Sequence, residues 1–162
     1  MNKCLELYAK KEKIDGFRCD HCNSDTEAVI KPLISHLPDV LVLHLKRFNF
    51  ISGYLDKIED LVTYPMHNLD MSRYLISGIK QNSNYELYAI INHHMYQTGG
   101  HYTSYVQLHT PTTEGGTNEL QWVFTNDSQV STVHNLQDLV KKDAYMLYYK
   151  RKELTPSNII KL

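Results

Sequence analysis

The chain has 162 residues and a formal net charge of −1, with 42% hydrophobic and 22% charged residues. This composition is typical of a folded globular domain, and its near-neutral charge gives no reason to expect nucleic acid or an anionic membrane as a partner. The longest apolar run, residues 40–45, is too short to cross a bilayer and is interrupted by His44.

The predicted elements begin with a short amphipathic helix over residues 2–12, because apolar side chains recur there at helical spacing. Two strands follow, over residues 26–35 and 40–50. Alternation along the second strand predicts one buried face, made of Leu41, Leu43, Leu45 and Arg47.

A helical turn is predicted over residues 69–74, started by Asn68, and a short helix over residues 136–142, capped by Asn135. The remaining predicted strands cover residues 85–92, 101–108, 119–126 and 144–150. The pattern is that of an α+β protein dominated by antiparallel strands.

Cys19 and Cys22 form a C-x-x-C knuckle, whose two thiolates could fill two of the four tetrahedral positions around a zinc ion. A second knuckle would be needed to close such a site, and the sequence contains none. His21 and His36 could complete a makeshift Cys2His2 set, although without the usual spacing. The alternative is two reduced thiols in a tight turn. Three cysteines without a signal peptide favour a reducing compartment, the cytoplasm or the nucleus.

The segments 101–108 and 119–126 are predicted to form a hairpin, because Pro and Gly residues concentrate in the loop between them. Folding at the middle of that loop pairs residue 108 with 119, and therefore His101 with Asn126. Residues directly opposite each other have Cβ atoms about 5 Å apart, close enough for an imidazole to reach a side-chain amide.

A histidine held by an amide suits thiol catalysis, because one ring nitrogen must face the sulfur while an acceptor holds the other. Gly99 and Gly100, just before His101, would allow positive φ and close approach of a substrate. No cysteine of the chain is well placed to complete the pair. The alternative interpretation is a histidine at a strand start whose ring is satisfied by a turn.

These residues carry a family resemblance. Residues 85–94, the Gly-Gly-His-Tyr segment beginning at Gly99, and residues 122–130 resemble the histidine box of the ubiquitin-specific protease family. Residues 36–48 are similar to the strand that leads from that family's fingers into its palm, and residues 143–151 to its last strand.

The resemblance implies a partial papain-like cysteine peptidase fold, with the antiparallel palm sheet and part of the fingers. Residues 1–151 would be the C-terminal part of the catalytic domain, with fingers at about 1–40 and palm at about 41–151. Residues 152–162 would be a polar tail. By the same resemblance, Cys19 and Cys22 match the second knuckle of the family's zinc ribbon, so a structural zinc requires an upstream knuckle.

The resemblance implies that His101 is the general base, that Asn126 orients it, and that Asp127 is the acidic neighbour. Four further residues match positions beside the substrate: Gly99, Gly100, Tyr102 and His93. The implied reaction needs no cofactor and hydrolyses the bond after the C-terminal glycine of ubiquitin. The implied partners are ubiquitin and ubiquitinated proteins.

The chain departs from the family pattern at one decisive point, since the block that carries the nucleophilic cysteine is absent. The nucleophile is therefore expected from a segment missing from this chain, which alone would be inactive. The alternative is a catalytically dead ubiquitin-binding or scaffold module. A third option is a zinc-ribbon interaction module in which the histidine box is incidental.

Overall fold

The computed structural model describes residues 1–51, 53–96, 99–111 and 118–152. Nearly all of the predicted tail, residues 153–162, lies outside the described residues. The helix is α1 (Asn2–Tyr8), and the strands are β1 (Glu12–Arg18), β2 (Asp25–Ile30), β3 (Val40–His44), β4 (Phe48–Ile51), β5 (Tyr54–Lys57), β6 (Leu69–Asp70), β7 (Asn84–Tyr96), β8 (Gly99–Pro111), β9 (Asn118–Asn126), β10 (Gln129–Thr132) and β11 (Ala144–Arg151). Two 3₁₀ helices cover Ser72–Tyr74 and Leu136–Leu139.

The largest unit is a seven-stranded sheet in the order β10-β9-β8-β7-β11-β3, with β6 beside β7. Every neighbouring pair in it is antiparallel. Strands β1 and β2 form a separate two-stranded sheet, and so do β4 and β5. No helix within the described ranges has the length and apolar character needed to cross a membrane.

The core lies on one face of the large sheet. Its central side chains are at most 1% exposed: Leu87, Ile90, Leu147 and Tyr149. Buried phenols there find acceptors, since Tyr64 donates to the carbonyl of Leu139 at 2.6 Å and Tyr149 to that of Pro65 at 2.8 Å. The segments around residues 64 and 139 therefore cover the middle of the sheet.

The predicted hairpin is present, but the predicted register is wrong by two residues. Leu108 pairs with Gln121 and Tyr105 with Phe124, because β8 and β9 extend as far as Pro111 and Asn118. A shift of two residues keeps every side chain on its predicted face. It also makes Asn126 a diagonal rather than a direct neighbour of His101.

Several element boundaries also differ from the predictions. The helix ends at Tyr8 rather than at residue 12, and a charged segment for which no strand was predicted forms β1. Strand β2 ends at Ile30, shortly before Pro32, which cannot donate to a ladder. The helical turn begins at Ser72, whose backbone N–H donates to the Asp70 carboxylate at 2.8 Å, so the prediction of Asn68 as its start is wrong.

Two local predictions are confirmed. Leu45 and Arg47 are buried, and Leu41 and Leu43 are half-buried, whereas Val42 and His44 on the opposite face of β3 are exposed. The Asn135 side chain accepts from the backbone N–H of Gln137 at 3.0 Å, which starts the second 3₁₀ helix as a cap.

Arg47 joins three parts of the fold. Its Nε donates to the carbonyl of Ala144 at 2.6 Å, and its Nη1 donates to the carbonyls of Ile58 and Asp60 at 2.9 Å each. The side chain is only 2% exposed. The guanidinium therefore gives the buried carbonyl of Ala144 a donor, and it fixes the start of β11 against the segment after β5.

Replacing Arg47 by Met should lower the free energy of unfolding by about 3 kcal/mol, because three carbonyls lose their donor. Lys46→Met is the matched control, since Lys46 is exposed and its change should stay within about 0.5 kcal/mol. Urea unfolding of both variants measures the difference. Equal losses in the two variants would contradict the role assigned to Arg47.

Candidate active site

His101 and Asn126 meet as predicted, at the ends of β8 and β9. His101 Nε2 lies 2.6 Å from Asn126 Oδ1, and both side chains are half-buried. A carbonyl oxygen can only accept, so Nε2 is the donor, and in the neutral ring Nδ1 keeps its lone pair. Among the described residues, no hydrogen bond reaches Nδ1, which is therefore open to a reacting group.

Asp127 occupies the tight turn between β9 and β10. Asn126 and Gln129 pair across that turn, and Asp127 has φ 50°, a left-handed conformation that Asp tolerates better than most residues. Its side chain is exposed and forms no hydrogen bond within the described part of the chain. The structure thus places Asp127 next to the pair in sequence but does not bring its carboxylate to the imidazole.

Gly100 is the contact point between the strand end of β8 and His93 of β7. A Cβ at Gly100 would lie 2.2 Å from His93 Nε2, so only glycine fits there. Gly100 does not have the positive φ expected of it, whereas Gly99 has φ 156°. The reason for glycine at position 100 is therefore the close approach of an imidazole rather than backbone conformation.

The His93 ring is enclosed by aromatic side chains. Ring centroids lie 4.7 Å away at Tyr102, 5.3 Å at Phe48 and 5.6 Å at Tyr145. Burial lowers the pKa of His93, and the nearby charges of Lys57 and His94 lower that pKa further. Its Nδ1 is buried without a partner among the described residues. Burial thus favours the neutral form of His93, and its ring sets the position of the backbone just before His101.

A polar network that sequence reasoning missed lies beside the pair. His94 Nε2 lies 3.1 Å from Thr103 Oγ1, and His94 Nδ1 lies 3.5 Å from an oxygen of Asp143. Lys57 lies 3.7 Å from the other carboxylate oxygen and donates to the carbonyl of His93. Alternation along β8 was a usable signal for Thr103, which is two residues from His101, whereas the contacts of Lys57 depend on tertiary structure.

The cysteines lie elsewhere in the fold. No hydrogen bond joins the thiols of Cys4, Cys19 or Cys22 to His101, and all three thiols are free. Cys19 and Cys22 lie in the β1–β2 turn, where Ser24 Oγ approaches Cys22 Sγ at 2.9 Å and this hydrogen bond lowers the pKa of the Cys22 thiol.

These two thiols fit half of a tetrahedral zinc site and no more. Among the described residues, no third His, Cys, Asp or Glu joins them as a potential ligand. The makeshift set with His21 and His36 is therefore wrong. His36 Nδ1 instead lies 2.9 Å from Gln81 Nε2.

Comparison with known proteins gives a consistent result. The sequence profile of the family described as ubiquitin carboxyl-terminal hydrolase matches residues 8–149. Human ubiquitin carboxyl-terminal hydrolase 15 is 36% identical over 156 residues, which are 94% of this chain and 15% of that protein. Ubiquitin carboxyl-terminal hydrolase 19 of Rattus norvegicus is 37% identical over 158 residues, 94% of this chain and 11% of that protein.

Solved structures agree with the sequence relatives. A chain of the SAGA Ubp8/Sgf11/Sus1/Sgf73 DUB module, bound to ubiquitin aldehyde, superposes with a TM-score of 0.77 at 32% identity. The match covers 96% of this chain and 34% of that chain. This likeness confirms the predicted α+β fold as part of a papain-like cysteine peptidase, and the chain belongs to the ubiquitin carboxyl-terminal hydrolase family.

Proposed function

We propose that this chain supplies the base and its orienting amide to a cysteine deubiquitinase, which hydrolyses the bond after the C-terminal glycine of ubiquitin. The observation that carries the proposal is the 2.6 Å contact between His101 Nε2 and Asn126 Oδ1. It leaves Nδ1 free to take a proton from a thiol. Family membership supports the reaction class.

In the proposed reaction, His101 Nδ1 accepts the thiol proton and the thiolate attacks the glycine carbonyl carbon. The protonated imidazole then gives its proton to the departing amine, and water hydrolyses the thioester. Asn126 keeps the ring oriented without adding charge, so the thiolate and imidazolium form the ion pair of the site. The nucleophilic cysteine comes from a segment other than this chain, because none of the three thiols described here is bonded to His101.

The surrounding residues receive supporting roles in this proposal. Tyr102 is 56% exposed and packs on His93, so it offers an aromatic surface to the extended tail of the substrate, alongside Gly99 and Gly100. Asp127, exposed at the adjacent turn, adds negative charge to the surroundings of the site without contacting the imidazolium. The partners are ubiquitin and ubiquitinated proteins.

The separation of the β1–β2 sheet from the seven-stranded sheet suggests a matching division of the chain. We assign the β1–β2 sheet, with its two knuckle thiols, to the fingers, and the seven-stranded sheet to the palm. A structural zinc would be held by Cys19, Cys22 and two ligands from another segment. A cytoplasmic or nuclear location suits the proposal, because both the nucleophilic thiol and the zinc-binding thiols must be reduced.

A second candidate function is a ubiquitin-binding or scaffold module without hydrolysis. The observation that favours it is the distribution of the described cysteines, none of which is hydrogen-bonded to His101. The retained His101–Asn126 contact argues against it, since binding alone requires neither residue in that geometry.

The proposal is tested with a chimera, in which residues 1–151 replace the matching segment of human ubiquitin carboxyl-terminal hydrolase 15. We expect it to hydrolyse a ubiquitin–aminocoumarin substrate, and His101→Ala to lower kcat/KM by about 10³-fold through loss of the base. His109→Ala, an exposed histidine on the same strand, is the matched control and should leave kcat/KM unchanged. A folded chimera that binds ubiquitin and hydrolyses nothing would favour the scaffold function.

Asn126→Ala in the chimera should lower kcat by about 10- to 100-fold, less than His101→Ala, because the base remains and only its orientation is lost. KM should change little, since the amide contacts the imidazole rather than the substrate. Steady-state kinetics of the two variants side by side make the comparison. A loss as large as that of His101→Ala would show that Asn126 does more than orient the ring.

Gly100→Ala should cost about 1–3 kcal/mol of stability and lower kcat at least tenfold, because the new methyl displaces the enclosed His93 ring. The same substitution in a His93→Ala background should cost much less, since the obstructing ring is gone. Thermal unfolding and kinetics of the four variants form the cycle. Equal costs in both backgrounds would rule out the His93 contact as the reason for glycine.

A further inference from the structure

Four polar side chains form a square on the face of the sheet that carries His101. In the β7–β8 ladder, His94 pairs with His101 and Asn92 pairs with Thr103. Asn92 is 1% exposed and Thr103 is 6% exposed, so two of the four groups are buried immediately behind the open imidazole. Buried polar groups need hydrogen-bond partners, and Asn92 Nδ2 and Thr103 Oγ1 find each other across the two strands, while Asn92 Oδ1 has no partner among the described residues.

Thr103 is the centre of these hydrogen bonds. Asn92 Nδ2 donates to Thr103 Oγ1 at 3.3 Å, and His94 Nε2 lies 3.1 Å from the same oxygen. In an assignment consistent with these contacts, the Thr103 hydroxyl accepts from Asn92 Nδ2 and donates to His94 Nε2, while His94 Nδ1 faces the Asp143 carboxylate at 3.5 Å. The hydroxyl therefore fixes β8 to β7 two residues beyond His101.

Asp143 extends the connection to the neighbouring strand. Its carbonyl accepts from the backbone N–H of His93 at 2.9 Å, and its carboxylate also faces Lys57, whose side chain is 3% exposed. A series of polar contacts thus runs from Asp143, which directly precedes β11, through His94 on β7 to Thr103 on β8, two residues from His101.

The hydroxyl, imidazole and carboxylate have the connectivity of a catalytic triad, but burial excludes that use. Thr103 is 6% exposed, and Asn92 occupies its oxygen as well, so no substrate carbonyl can reach it. The Thr103 hydrogen bonds can therefore affect the site only through the position of β8 and of the His101 side chain on it. Strand ends open more easily than strand centres, and His101 lies two residues from the start of β8.

We propose that Thr103, held by His94 and Asn92 and backed by Asp143, is a positioning residue that keeps the His101 imidazole aligned with Asn126. This inference rests on the proposed function, in which His101 is the base. It assigns His94 and Thr103 a role in catalysis without contact to the substrate.

The test compares Thr103→Val, which keeps the shape and removes the hydroxyl, with Thr103→Ser, which keeps the hydroxyl. Nitrogen-15 NMR of the histidine rings in the 162-residue chain reports which His101 nitrogen is protonated. We expect Thr103→Val to lower the ratio of the Nε2–H to the Nδ1–H form by about threefold or more, and Thr103→Ser to retain the wild-type ratio. In the chimera, Thr103→Val should lower kcat about tenfold with KM nearly unchanged.

Thr125→Val is the matched control, because Thr125 Oγ1 forms an equivalent interstrand contact with Ser104 Oγ at 2.6 Å on the other face of the sheet. It should leave the His101 ratio unchanged. The positioning role is overturned if Val and Ser at position 103 give the same ratio, or if Thr125→Val shifts it equally.

Asp143→Asn provides a second, milder variant in case Thr103→Val does not fold. It should shift the His101 ratio in the same direction by a smaller amount, and an unchanged ratio counts against the proposal. A parent chimera without hydrolysis would overturn the proposed function, while the NMR ratio would still decide whether Thr103 orients the ring.

Discussion

The hydrogen bond between His101 and Asn126 joins β8 to β9 at the open end of the sheet, and it depends on the register of three antiparallel strands. Asn126 is a diagonal neighbour, so the imidazole must lean along the strand to reach it. Diagonal neighbours on a sheet are about 7–8 Å apart at their backbones, a distance that a long side chain spans in only a few rotamers. Anything that moves the start of β8 therefore changes the contact.

Two sets of contacts hold that strand start from opposite faces. On one face, the enclosed ring of His93 packs on the bare backbone of Gly100. On the other, Thr103 is bonded to Asn92 and His94. The first set is mainly apolar and the second is polar, so the position of His101 depends on packing and on hydrogen bonding at once. Both sets of contacts lie within this chain, so they hold His101 in place even without the segment that supplies the nucleophile.

Much of this arrangement could be predicted from the sequence. Alternation gave the buried face of β3, and turn residues gave the hairpin that brings His101 to Asn126. Loop length alone did not give the register, since β8 continues through Pro111 before turning. Strand β1 was missed because its segment is rich in charged residues and does not alternate apolar with polar side chains, so it has no apolar face. All but one of its residues are exposed in the structure. The contact of Gly100 with His93 depends on ring placement in three dimensions, which no spacing encodes.

The exposure of the β1–β2 hairpin has a consequence for local unfolding of the protein. It forms its own two-stranded sheet, and all but two of its strand residues are exposed. Isolated hairpins of this kind are marginally stable, and regions with few buried contacts open locally at low free energy. Limited proteolysis would therefore cut the hairpin more readily than the strands of the seven-stranded sheet.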